Sequence, residues 1–401
     1  MENVKNKNLK KIFFGTIIIA VVIVLTVCMA IAYNNTKISN NQDNTSNNQD
    51  NSISTKTTDN DNTLSKTTNS SSVSKTSNSK NMNITSGGNY DLQGDYESIT
   101  INTSEEVTLN VNGVEITNSK SPAINVEKAK RVTIVISGTN KITATTTEDL
   151  DGAIYSKADL VFSGTGSLEV KSNYDGIVSK DTLVIENGTY TITSDDDGIK
   201  GKDSVEIQDG TFTINAGGDG IKSSNDEDTS LGYVAISGGN YNITSKSDGI
   251  QGITKATISG GTFNIKSSEG IEATYVKIDD GTINIEASDD GINASKKSNI
   301  GTPTIEINGG NITIKMGQGD TDGVDSNGNL YINGGTIDIT GNSPFDYDGT
   351  AQYNGGTIIV NGTQTNTITN QMMGGGMKGG MPGQMNQNGN IQNSGEMLMK
   401  V

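Results

Sequence analysis

The sequence predicts an all-β chain: a single-stranded, right-handed parallel β-helix, a solenoid with coils of about 22 residues. Three observations predict it. The tripeptide Asp-Gly-Ile recurs from Asp175, Asp197, Asp219, Asp248 and Asp290, with variants opening at Asp151, Glu269 and Asp322. Successive spacings are 24, 22, 22, 29, 21, 21 and 32 residues, so two coils carry insertions. Within each unit the apolar residues alternate with period two, the strand signature: Val205 and Ile207, then Phe212 and Ile214. Glycine-bearing pairs such as Asn187-Gly188, Gly238-Gly239, Asp280-Gly281 and Gly334-Gly335 separate these strands and supply the positive φ that other residues resist. Antiparallel hairpins would use the same turns but would not repeat in the same phase. Equivalent residues therefore stack at the strand spacing of ~4.8 Å, and the crossover rule sets the hand.

Each element follows from that stacking. Ile177, Ile199, Ile221, Ile250, Ile271, Ile292 and Val324 become one internal aliphatic ladder, and Tyr190, Phe212, Tyr241 and Phe263 an aromatic one. A coil buries its apolar face only against its neighbours, so the array folds as a unit, predicted over 83–364. Asn89 to Asn118 repeats less regularly and supplies the N-terminal coils; Phe345 opens the last one. Before the solenoid, Lys5, Lys7, Lys10 and Lys11 precede an uncharged apolar run from Ile12 to Tyr33. That run matches the ~20 residues that cross a bilayer, with the lysines inside and the rest of the chain outside. A cleaved signal peptide (Ala30-Ile31-Ala32 is a small-x-small site) and a retained membrane anchor are both consistent with residues 1–33. Residues 34–82 are Asn, Ser, Thr, Asp and Lys, a composition that stays disordered, and 365–401 form a Gly-, Met- and Asn-rich tail.

The net charge is −17; four lysines and one glutamate give residues 1–33 a charge of +3, so everything after them carries −20. This excludes nucleic acid and anionic lipid as partners of the folded part. With no histidine, Ser-His and Cys-His nucleophiles and His-based zinc sites are excluded as well. The repeat that stacks isoleucines also stacks Asp175, Asp197, Asp219, Asp248, Glu269, Asp290 and Asp322 into a column of like charge. Such a column raises carboxyl pKa values or demands a counter-ion. A hard cation with oxygen ligands satisfies it, and Ca²⁺ takes six to eight of them. The densest run, Asp320-Thr321-Asp322-Gly323-Val324-Asp325-Ser326-Asn327, alternates Asp and Asn around a glycine as calcium loops do. Asp-Gly is equally a tight-turn dipeptide whose carboxylate caps a backbone N–H. Asn225-Asp226-Glu227-Asp228 reads as an exposed, solvated loop. Tyr174, Tyr233, Tyr275 and Tyr331 fall outside the inward ladders and are the candidates for exposed sugar-stacking faces. Uronate lyase chemistry needs a basic side chain to take a proton; no motif singles out Arg131, Lys200, Lys202 or Lys222, so no catalytic residue is assigned.

Several runs resemble a bacterial surface carbohydrate-binding β-helix family, of clostridial type and similar in fold to polysaccharide lyases. They are Ala153-Ile154-Tyr155-Ser156-Lys157-Ala158-Asp159-Leu160, Gly164-Thr165-Gly166-Ser167-Leu168, Asp219-Gly220-Ile221-Lys222-Ser223-Ser224, Asp322-Gly323-Val324-Asp325-Ser326-Asn327-Gly328 and Phe345-Asp346-Tyr347-Asp348-Gly349. The resemblance spans roughly 88–362. It implies a calcium-containing right-handed β-helix that binds cellulose and acidic sugars such as polygalacturonate, without established catalysis. By position it favours Asp219, Asp320, Asp322, Asp325 and Asp348 as metal ligands, beside Asp197, Asp248 and Asp290 of the column. The expected function is a cell-surface polysaccharide-binding protein. A calcium-dependent uronate lyase and a passive surface spacer without glycan affinity are the alternatives.

Overall fold

The computed structural model describes residues 81–319 and 321–370, and every regular element in that span is a strand. The predicted segment 1–33, nearly all of 34–82, the tail beyond 370 and Asp320 lie outside the described residues. Each coil from Ile124 onward contributes three strands; in the two before it the second and third run on as one, Gly88–Tyr96 and Glu106–Asn118. In the coil opened by Asp197 they are Ile199–Gly201, Ser204–Ile207 and Thr211–Ala216. Each pairs in parallel with its counterpart in the next coil: Ile199 with Ile221, Val205 with Val234, and Phe212 with Tyr241. Among the described residues the first strands form a 12-stranded sheet from Asn81–Ile84 to Ser343–Tyr347, and the second and third strands share another.

The predicted ladders are present, and longer than predicted. Register pairs Ile99, Ile124, Ile154 and Ile177 in turn at one end, and Ile292, Val324 and Phe345 at the other. All are essentially inaccessible to solvent, and each buried Ile contributes roughly 1.5–3 kcal/mol of hydrophobic stabilisation. In the aromatic ladder Tyr190, Phe212, Tyr241 and Phe263 stack with ring centroids 5.0, 4.7 and 4.5 Å apart, and Phe162 meets Tyr190 edge-on at 6.0 Å. Tyrosine alternates with phenylalanine there without leaving a buried hydroxyl unpaired: Tyr190 donates to the Asn187 carbonyl and Tyr241 to that of Gly238, each at 2.8 Å.

The turn glycines have the positive φ expected of them, as at Gly188 (126°) and Gly239 (99°). The glycine of Asp-Gly-Ile has a different reason. It is not at a tight turn with positive φ; a Cβ on Gly220 would lie 2.6 Å from the Gly249 carbonyl oxygen and 2.5 Å from the Ile243 methyl. Glycine is required because consecutive coils close on one another at that corner.

The insertion after Ser224 is an exposed loop from Asp226 to Ser230, as expected. Its root is not exposed: Asn225 is buried, accepts from the Glu227 and Asp228 amides at 3.1 and 2.9 Å, and donates to Asp203 at 2.6 Å. The last coil is closed by a short antiparallel return, Thr363–Thr365 against Thr357–Val360, which covers an edge that would otherwise offer free pairing groups.

Candidate metal centre

The corner before each first strand carries the column of acids. Its first role is structural. Asp175 accepts from the Asp197 amide at 2.9 Å, Asp197 from that of Asp219 at 2.8 Å, and Asp219 from that of Asp248 at 2.8 Å. The carboxylate thus caps a backbone N–H of the next coil, where the sequence suggested a local turn. Among the described residues this relay lapses at Glu269 and Asp290, and resumes from Asp290 to the Asp322 amide at 3.2 Å.

What neutralises the column changes along it. Three residues after each ladder acid from Asp197 onward a second column faces outward: Lys200, Lys222, Gln251, Glu272, Asn293, Asp325 and then Asp346. In the first half Lys200 lies 3.0 Å from both Asp175 and Asp197, and Lys222 lies 2.6 Å from Asp219 and 3.5 Å from Asp197. Burial pulls the Lys200 ammonium down, but the carboxylates of Asp197 and Asp175 outweigh it and hold it above the usual lysine range. Asp175, Asp196 and Asp197 have oxygens within 4.8 Å of one another, yet Lys200 already serves that group.

From Asp248 onward the lysines are replaced by amides and acids. One oxygen each of Asp248, Glu269 and Glu272 lie within 4.8 Å of one another. Gln251 donates to Asp248 and, at 3.2 Å, to Glu272; Asn293 donates to Glu269 at 3.0 Å. Lys297 reaches Glu272 alone. Among the described residues no lysine pairs with Asp248, Glu269, Asp290 or Asp325. Burial, with the charges of Asp219 and Glu272 nearby, pushes Asp248 up to about 8, and burial beside Glu272 pushes Glu269 up to about 7. Burial and Asp325 raise Asp290 to about 7; burial with Asp322, Asp346 and Asp348 does the same to Asp325. The Asn293 carbonyl oxygen and one Asp346 oxygen are buried among these groups with no hydrogen-bond partner, and Asn293 is only 7% exposed. An all-oxygen donor set, excess negative charge and an orphaned amide carbonyl fit a hard cation.

The sequence-predicted ligands therefore divide. Asp197 and Asp219 are in contact with lysines, and a buried carboxylate beside an ammonium has its charge balanced without a metal. Asp248 joins Glu269 and Glu272; Asp290, Asp322 and Asp325 form the next group; Asp348 is exposed beyond it. Asp320 lies outside the described residues. Glu272, Asn293, Gln251 and Asp346 were missed, although aligning the repeats one residue past Asp-Gly-Ile displays the whole second column. Of the tyrosines, Tyr174 is half-buried beside Asp175, whereas Tyr233, Tyr275 and Tyr331 point outward from second strands. Replacing Lys200 with methionine is expected to destabilise the fold by ~3–5 kcal/mol, because it leaves the buried Asp175 carboxylate unpaired and Asp197 with Lys222 alone at 3.5 Å. Urea unfolding measures the loss, and calcium is expected to stabilise the variant more than the unaltered chain.

A parallel β-solenoid bearing an acidic seam poor in lysine is the class of molecule that the fold and site define. The chain belongs to the family of carbohydrate-binding domain-containing proteins, whose model matches residues 78–323 and again 269–392. Among solved structures, the polysaccharide lyase-like protein from C. thermocellum, as its gadolinium derivative, is 32% identical. That match covers 51% of this chain and 87% of the other, with a TM-score of 0.46. No curated protein matches the chain.

Proposed function

We propose that this chain is a non-catalytic, calcium-holding polysaccharide-binding protein of the cell surface, tethered through residues 1–33 and engaging acidic cell-wall sugars such as polygalacturonate through its acidic seam. The observation that carries the reading is the seam from Asp248 to Asp346, where stacked acids have amides and acids beside them and almost no lysine. Asp248, Glu269, Glu272, Asp290, Asp325 and the Asn293 carbonyl are the residues that would hold calcium. A bound calcium ion supplies open coordination positions to a uronate carboxylate, which a bare acidic surface would repel. The family supports the carbohydrate part of the reading. In support of the non-catalytic part, the basic side chains beside the first half of the column, Lys200 and Lys222, are held in ion pairs, and Arg131 is paired with Glu106 at 3.2 Å.

The test is retention of the purified chain on polygalacturonate and on cellulose, with calcium and then with a chelator. Loss of polygalacturonate retention in chelator, with the β circular dichroism intact, is the expected result. Polygalacturonate retention that survives chelation would overturn the cation-bridged mode. An unsaturated product absorbing in the ultraviolet would overturn the non-catalytic assignment.

A further inference from the structure

The acidic seam does not use the outward face of the second strands, where the outward tyrosines sit. Register places Tyr233, Lys255 and Tyr275 in one column on consecutive coils, so the backbone positions of the two tyrosines stand two strand spacings apart, about 9.6 Å. Both rings are half-buried, and both hydroxyls are tied back. Tyr233 donates to Glu206 of the preceding coil at 2.6 Å, and Tyr275 donates to Glu306 of the following coil. The hydroxyls thus lean away from each other, and the exposed Lys255 side chain stands on the coil between the two rings.

Beside Tyr233 the face is hollow. The next outward column runs Glu206, Ala235, Thr257, Lys277 and Glu306, so two short side chains lie between long ones. They floor a depression of about 140 Å³, rimmed by Gln208, Ser237 and Ser259 and closed by Glu206. Lys277 is already paired with Asp279 at 2.6 Å. With Glu206, Asp279 and Glu306 against Lys255 and Lys277, the patch does not favour an anion.

We infer that this strip, from the depression at Ala235 and Thr257 to Tyr275, is a subsite for an uncharged glycan laid along the solenoid axis. Pyranose rings present C–H faces that pack on fixed aromatic rings, and their hydroxyls match a rim of serine, threonine and amide groups. The two strand spacings between the tyrosine positions are about the length of two such sugars. The inference rests on the carbohydrate-binding reading and adds a second face to it, independent of the cation.

The experiment measures cellohexaose and polygalacturonate affinity of the full chain and three variants in calcium. Tyr233→Ala/Tyr275→Ala is expected to weaken cellohexaose binding about tenfold and leave polygalacturonate binding unchanged. Tyr233→Phe/Tyr275→Phe, which keeps both rings, is expected to retain most of it. Thr257→Arg fills the depression from an outward position without touching the core, and is expected to abolish cellohexaose binding even if the double alanine variant folds poorly. Unchanged cellohexaose affinity in Thr257→Arg, or in a folded double alanine variant, overturns the subsite. So does a wild type that binds polygalacturonate but no cellohexaose. A wild type that binds neither glycan overturns the carbohydrate-binding reading itself.

Discussion

In chelator, the folded protein is expected to lose about 5–10 °C of melting temperature between pH 5 and pH 8, and calcium is expected to return that stability at pH 8. Burial and mutual repulsion raise Asp248 to about 8, and Glu269, Asp290 and Asp325 to about 7. In the unfolded chain the same groups ionise near 4. The folded state therefore keeps protons that the unfolded state has released. Stability is full below about pH 4 for these groups and is lost as pH climbs through 7 to 8. A cation replaces those protons, so its stabilisation is larger at pH 8 than at pH 5. Circular dichroism melts at both pH values, with and without calcium, measure this directly. Glu272→Gln combined with Asp248→Asn is expected to flatten the pH slope and blunt the calcium response while leaving the chelated protein folded. Equal melting temperatures under all four conditions would rule out a cation seam.

Gly220→Ala is expected to destabilise the solenoid by ~3 kcal/mol or more, on the order of 10 °C, although it adds one methyl group. The new Cβ would meet the Gly249 carbonyl oxygen at 2.6 Å, and that oxygen accepts the Ile221 amide at 3.1 Å. A backbone carbonyl in a parallel ladder has little freedom to move. The same close approach recurs at Gly198 and Gly249, so the strain has no slack coil to dissipate into. The outward Thr213→Ala on the same solenoid is expected to stay within about 0.5 kcal/mol. Chemical denaturation compares the two; a cost below ~1 kcal/mol for Gly220→Ala would mean that the coils do not close at that corner.

The sequence alone determined the solenoid, its coil length and both internal ladders. A parallel β-solenoid turns a linear repeat directly into columns, so period two and a recurrence of about 22 residues specify which side chains stack. Ile199 on Ile221 and Phe212 on Tyr241 were legible for that reason. The column of acids was legible too, but the differences along it were not. Whether an aspartate is a salt-bridge partner or a free cation ligand depends on what stands beside it in space. Only the tertiary register put Lys200 against Asp175 and Asp197, and Glu272 against Asp248 and Glu269. The glycine of Asp-Gly-Ile likewise has two physical uses, positive φ and close packing, and only the approach of the next coil decided between them. Tyr233 and Tyr275 each stand one residue before the inward pair of a second strand, and the register of those strands puts them in one column. Repetition wrote the columns into the chain; burial and charge across neighbouring columns decided which of them hold the fold and which are left for a ligand.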